Sequence, residues 1–309
     1  MTRPAQFAPH LDRDFVGYGA NPPDAAWPNG ARIAVNICLN IEEGGEPSVS
    51  DGDEFTEGGL TFSRPGKSYL RDLGAESMFE YGSRVGFWRI HRLLQERALP
   101  ATMYVCGLAL ERNAEVAAAI GAADYDLCGH GWRWEYPMDL TEDEERDRIA
   151  RTIAAAERTV GRRPEGWYCR YAPSHHTRRL LVEEGGFLYD SDSYADDLPY
   201  WTTVGGAPHL IVPYSLMAND VLAMRSGLAT ADLYFAFLRD AFDTLYREGT
   251  HTPRMLSVGL HGRIIGHPGR FPGLERFLDH LAALPDVWVC RRADIARHWS
   301  QKHPYPGEP

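Results

Sequence analysis

Ionisable residues gather directly behind short apolar runs at five points of this chain. Behind the first run stand Asn40-Ile41-Glu42-Glu43-Gly44-Gly45-Glu46, and behind another Gly129-His130-Gly131-Trp132-Arg133-Trp134-Glu135. Further on come Cys169-Arg170-Tyr171-Ala172-Pro173-Ser174-His175-His176, then Asp190-Ser191-Asp192 with Asp196-Asp197-Leu198-Pro199-Tyr200-Trp201, and finally His261-Gly262-Arg263. Adjacent carboxylates such as Glu42 and Glu43 can hold a general base, because one like charge raises the pKa of the other toward working pH. A histidine behind another run, His261, can serve as the complementary acid, since its ordinary pKa lies near neutrality. An arginine such as Arg170 can orient a carboxylate or stabilise a developing oxyanion. Together these groups suit attack of water on a carbonyl or amide carbon, followed by protonation of the leaving nitrogen.

Each group also has a bland account. Glu42-Glu43 could be a solvated turn, His130 and His261 satisfied core histidines, and Trp132 and Trp134 mere packing. The glycines behind Glu43 and around His130 favour close quarters instead. His175 and His176, ahead of a helical stretch, read as polar loop. The acidic run 142–145 reads as a helix start, where the helix dipole favours negative charge.

The elements that must position these residues alternate along the chain. Strands are expected over 32–39, 101–106, 126–129, 166–170, 187–190, 210–213, 255–260 and 287–290. Helices are expected over 78–98, 141–160, 177–184, 231–248 and 271–284. In the last, Phe271, Leu274, Phe277, Leu278 and Leu281 recur at helical spacing. This alternation implies an α/β fold: a distorted (β/α) barrel of about seven to eight parallel strands, with the chemistry behind the strands' C-terminal ends. Residues 1–30, rich in Pro, Gly and Asn, are expected to form an arm packed on a single domain over 31–309. Residues 43–75 are too long and polar for an ordinary connection, and such segments serve as lids or remain unstructured.

Composition narrows the classes. Apolar residues make up 44% and charged residues 24% of the 309, ordinary for a globular chain. A net charge of −11 argues against nucleic acid or an anionic membrane surface as partner. No apolar run approaches the roughly 20 residues that span a bilayer. Residues 1–14 lack the apolar stretch of a secretory signal, so a cytoplasmic location is expected. The five cysteines include no Cys-x-x-Cys pair and read as buried, reduced thiols.

At the loops quoted above the sequence resembles the polysaccharide-deacetylase, or NodB-homology, family. Glu42-Glu43 stand at that family's paired acidic residues, base first and metal ligand second. His130-Gly131-Trp132-Arg133-Trp134 stand at its His-Ser/Thr-x-x-His motif, Arg170-Tyr171-Ala172-Pro173 at its Arg motif, and Gly259-Leu260-His261 at its last strand. The segments Asp14 to Gly19, Asn40 to Glu46, Glu80-Tyr81-Gly82-Ser83-Arg84 and Glu183 to Trp201 resemble the allantoinase branch more closely. That branch opens the hydantoin ring of allantoin in purine breakdown without a metal.

The resemblance implies a hydrolase that opens a small cyclic amide, allantoin first. A cyclic imide, another cyclic amide or an N-acetylated carbohydrate are the alternative substrates, and a binding protein that has lost catalysis is the alternative class. Between Trp167 and Thr177 the allantoinase pattern places its arginine one residue later, which leaves the cyclic-amide class better supported than allantoin itself. Glu42 would be the base, His261 the acid, Arg170 the holder of Glu42 or the oxyanion, and Asp192 the residue orienting His261. Asn40, Trp134, Tyr171 and Trp201 would wall the ring. Trp134 stands where the family has a second metal histidine, so no metal is expected; Glu43 and His130 are the candidates should zinc or manganese be held. The resemblance further implies a homo-oligomer, a tetramer, acting on a small molecule.

Overall fold

The computed structural model describes residues 13–58 and 70–306. Its sheet is built around β1 (Ile33–Ile41), every residue of which is buried, as befits a parallel strand covered on both faces. Its odd positions, Ile33, Val35, Ile37, Leu39 and Ile41, pack outward with Phe79, Ile90, Leu94, Leu260 and Phe277. Its even positions, Ala34 and Cys38, face the barrel interior with Tyr104, Tyr168 and Tyr214. Asn36 and Asn40 share that inner phase, and their side-chain amides donate to Leu256 O at 3.2 Å and Leu260 O at 3.0 Å. The alternation therefore carries Glu42, the next even residue, toward the top of the interior.

The remaining strands are β2 (Ala101–Val105), β3 (Tyr125–Gly129), β4 (Gly166–Trp167), β5 (Tyr189–Asp190), β6 (Tyr200–Val204), β7 (Ala207–Ile211), β8 (Arg254–His261) and β9 (Val287–Val289). They form one curled sheet of order β6-β7-β5-β4-β3-β2-β1-β8. One edge of β1 pairs with β8 from Ile33↔Arg254 to Asn40↔His261. Its other edge is shared, with β9 against residues 33–35 and β2 against residues 38–41. Eight strands run parallel; β6 alone is antiparallel, returning through Gly205-Gly206 into β7. The expected barrel is thus the observed fold, with a hairpin added at one edge.

Helices pack outside: α1 (Leu73–Tyr81), α2 (Phe87–Glu96), α3 (Gly107–Arg112), α4 (Ala114–Ala122), α5 (Glu142–Val160), α6 (Thr177–Glu184), α7 (Asp220–Arg225), α8 (Ala231–Glu248), α9 (Phe271–Ala282) and α10 (Arg292–Lys302). The helix α5 starts in a capping box in which Thr141 and Glu144 satisfy each other's backbone N–H groups. The single helix expected over 78–98 begins earlier and is broken by a π turn, Gly82–Gly86. The cause is steric. A Cβ at Gly82 would collide with the Glu43 carboxyl group, and one at Gly86 with the Gly262 carbonyl. The π turn lets two backbones touch beside the residues that follow β1 and β8.

The described part of the N-terminal arm lies on the body, with Trp27 Nε1 donating to Arg254 O at 2.9 Å and Tyr18 Oη to Pro199 O at 2.7 Å. The rest of that arm, residues 1–12, lies outside the described residues, as do residues 59–69 of the expected lid. Among the described residues no helix is long and apolar enough to cross a membrane. All five cysteines are free and buried.

Arg292, the first residue of α10, reaches into the interior and is wholly buried. It donates to Asn36 Oδ1 on β1 and Ser257 Oγ on β8, both at 2.7 Å, to Ser191 Oγ behind β5 at 3.0 Å, and to Pro213 O behind β7 at 2.9 Å. Val212 O accepts a further bond. One guanidinium thus links strands from both halves of the open sheet.

Candidate active site

Glu42, one residue beyond β1, is 1% exposed and sits at the centre of a cluster. Its Oε1 lies 3.2 Å from His130 Nε2 and 3.5 Å from His261 Nε2. Its Oε2 accepts from Arg263 Nη2 at 2.6 Å. The same guanidinium donates through Nη1 to Glu43 Oε1 at 3.2 Å. Parallel pairing places the ends of β1 and β8 side by side, which is why residues far apart in sequence meet here.

His261 ends β8, and its orientation is fixed by Asp220 at the start of α7. Nδ1 lies 2.7 Å from Asp220 Oδ1, and the His261 backbone N–H donates to Asp220 Oδ2 at 2.8 Å. With Nδ1 so engaged, Nε2 is the nitrogen turned toward Glu42. Burial alone would lower the His261 pKa, but the carboxylates of Asp220 and Glu42 outweigh it and lift it to about 9. Burial would raise the Glu42 pKa, yet Arg263, His261 and His130 hold it well below the usual carboxylate range, so the rise expected from the adjacent Glu43 is overturned by these cations. Near neutral pH the site therefore pairs a carboxylate with an imidazolium. His130 stacks on Tyr168, ring centroids 5.4 Å apart and planes within 4°, with Nδ1 2.5 Å from Tyr168 O.

Glu42, Glu43, His130 and His261 come together. Two other sequence expectations are corrected. Arg170 does not hold Glu42: it donates to Glu57 Oε2 at 2.5 Å and Trp134 O at 2.7 Å, and lies over the rings of Trp134 and Tyr136. Glu57, from the loop behind β1, draws it away, and Arg263 takes the role. Asp192 does not orient His261: its Oδ1 accepts from the Cys169 N–H at 2.8 Å, and the carboxylate on His261 is Asp220.

The expected ring wall is only partly assembled. Trp134 is buried and lies 5.0 Å from the Arg263 guanidinium. The side-chain amide of Asn40 is spent on β8. Trp201 belongs to β6 at the sheet edge, where its Nε1 donates to His303 O at 2.7 Å, so it is not a wall of this cluster. Tyr171 is 66% exposed with a left-handed backbone (φ 64°), and its carbonyl accepts from Tyr194 Oη. Arg263 and Asp220 were missed. Arg263 stands two residues from His261 within a run already singled out; Asp220 carries no signal beyond following the cap residue Asn219.

The described part of the loop behind β1 is tied down by arginines from three other loops or helices. Arg112 grips Asp51 through two bonds of 2.7 and 2.8 Å, Arg133 grips Asp53 through bonds of 2.5 and 2.8 Å, and Arg170 grips Glu57.

A divalent ion does not fit the donor set. Glu42 and Glu43 are each already paired through one oxygen with the Arg263 guanidinium, a fixed positive charge beside which a dication would sit, and Trp134 contributes no ligand atom. Among the described residues no three His, Cys, Asp or Glu side chains are grouped to hold a metal.

The cluster of carboxylates and histidines lies behind the C-terminal ends of a curled parallel sheet, where α/β-barrel proteins carry their sites. Residues 74–189 match the polysaccharide deacetylase family model. A Schizosaccharomyces pombe protein bearing a polysaccharide deacetylase name is 38% identical over 95% of this chain and 98% of its own length. The chain belongs to the polysaccharide deacetylase family. Two solved structures are similar throughout. A Pseudomonas aeruginosa PAO1 protein named for the same family has a TM-score of 0.90 at 44% identity, covering 95% of this chain and 99% of its own. A structure named Puue allantoinase has a TM-score of 0.91 at 43% identity, covering 96% of this chain and all (100%) of its own.

Proposed function

We propose that this chain hydrolyses a small cyclic amide, with the hydantoin ring of allantoin as the first substrate to try. The observation that carries the reading is the geometry of one carboxylate between two imidazoles: Glu42 Oε1 lies 3.5 Å from His261 Nε2 and 3.2 Å from His130 Nε2, with His261 fixed from behind by Asp220. Glu42 takes a proton from water as the water oxygen attacks the ring carbonyl. His261 then gives its proton to the ring nitrogen as the C–N bond breaks. The product keeps both ends on one molecule, a carboxyl group and a freed N–H. Glu42 ends protonated and His261 neutral, and a proton passing from one to the other resets the site.

Two features support a small ring over a polymer. The proposed acid and base are almost fully buried, which suits a small substrate better than a chain that must thread past them. The carboxylates that would hold a metal in a sugar deacetylase are held by Arg263 instead. The likeness to the structure named as an allantoinase points the same way. A carbohydrate N-deacetylase is the second reading, favoured by the deacetylase names of other relatives.

The test is turnover of allantoin by protein treated with a chelator, beside a cyclic imide, a dihydropyrimidine and an N-acetylglucosamine oligomer. Ring opening that survives chelation is the expected result. Deacetylation of the oligomer alone would replace this reading with the second.

A further inference from the structure

We propose that Arg263 is a third catalytic group: it receives the substrate carbonyl oxygen and holds the oxyanion that forms when water adds. This rests on the reading above, that an amide carbonyl is attacked by water activated at Glu42.

A guanidinium has five N–H bonds to place. Arg263 spends Nη2 on Glu42 and Nη1 on Glu43. Its Nε is buried and has no acceptor among the described residues. An orphaned donor on a buried cation is costly, and one that persists beside an acid–base pair is a donor held in reserve. The ring faces of Phe79 and Trp134 lie 4.6 and 5.0 Å from the guanidinium carbon and restrict its motion. Gly262, the residue before it, is packed against the π turn without room for a side chain. The group is therefore held in place in advance, as oxyanion stabilisation requires.

The charge balance fits. As the water O–C bond forms, the carbonyl π pair moves to oxygen and the water proton goes to Glu42. One negative charge leaves Glu42 and one appears on the oxyanion, both within reach of the same guanidinium. When the oxyanion collapses, the C–N bonding pair leaves with nitrogen, which takes the His261 proton. Through the addition step Arg263 faces one unit of reacting negative charge, and after collapse, with Glu42 protonated and His261 neutral, that charge returns when the Glu42 proton passes to His261; Glu43 stays paired with the guanidinium throughout.

The experiment compares wild type with Arg263→Ala and Arg263→Lys on whichever ring the wild type opens. Arg263→Ala should lower kcat by about a hundredfold or more with little change in KM. Guanidinium chloride, below its denaturing range, should restore part of that loss, while ammonium and sodium chloride should not. A folded Arg263→Ala protein that keeps kcat within about threefold, loses only in KM, or recovers equally with any salt overturns the proposal. Should Arg263→Ala not fold, Arg263→Lys decides: a large kcat loss at unchanged KM supports the role, and unchanged kcat removes it. A wild type that deacetylates sugars but opens no ring would defeat the substrate reading alone, and the same variants would then be read on the sugar. A wild type inert on both ends both.

Discussion

Arg263 and Arg292 are both shut away from solvent, yet they are held by opposite kinds of partner. Arg263 lies at the barrel mouth between two carboxylates and near a histidine. Arg292 lies in the interior among hydroxyls, a side-chain amide and backbone carbonyls, with no carboxylate within ion-pairing distance among the described residues. At the mouth, each charge sets the protonation of its neighbours, so removing one group changes what the others can do. In the interior, neutral acceptors spread the charge without titrating, and the arginine acts as a tie between strands. The same side chain serves reactivity where its partners are ionisable and cohesion where they are not.

The contrast can be broken at either end. The largest effect expected is at Glu42. Glu42→Gln should cut kcat by about a thousandfold or more while circular dichroism still shows a folded chain. Retained turnover would remove Glu42 as the base. At the other end, Arg292→Leu should act on stability. It leaves several buried acceptors without a donor, at about 1–3 kcal/mol each, and should lower the denaturation midpoint severely while the protein that remains folded keeps its kcat. An undisturbed midpoint would show that the tie is dispensable.

The pH profile sharpens the comparison. The His261 pKa is raised to about 9, so the acid form survives neutral pH and activity should fall only as pH climbs through about 9. Its stabilising contribution is fully present below the ordinary value near 6.5 and is lost between there and about 9. Asp220→Asn removes the largest raising influence, so the alkaline limb should move to lower pH and kcat should drop roughly tenfold to a hundredfold. A limb that stays at its wild-type position would show that Asp220 does not set it. The smallest effect belongs to Trp201→Phe, which deletes one bond to the His303 carbonyl and should cost about 1 kcal/mol with kcat unchanged.

Much of the framework was legible because it rests on local periodicity. The helices at 177–184 and 231–248 fall where expected, and the strand ends carrying Glu42, His130 and His261 do converge. What escaped was fixed by contacts between distant segments. The π turn at Gly82–Gly86 exists because of Glu43 and Gly262, which no reading of 78–98 contains. Arg170 and Arg263 look alike as arginines behind strands. Only the packing shows that Glu57 captures the first and that Glu42 and Glu43 capture the second. Asp220 lies in a short helix with no run of polar residues, and nothing local ties it to His261.

The pairing of β1 with β8 bears on how the chain comes to life on the ribosome. Glu42 and Arg263 are 221 positions apart, and both edges of β1 are finished only by strands that begin at Arg254 and Val287. As the nascent chain emerges from its N-terminus, β1 is released as an apolar segment with one edge unsatisfied until synthesis is nearly complete. Two buried acids and their counter-charge cannot be neutralised before then. Assembly of this active site is thus a closing event, and an interrupted translation product would expose a sticky central strand rather than a partly working enzyme.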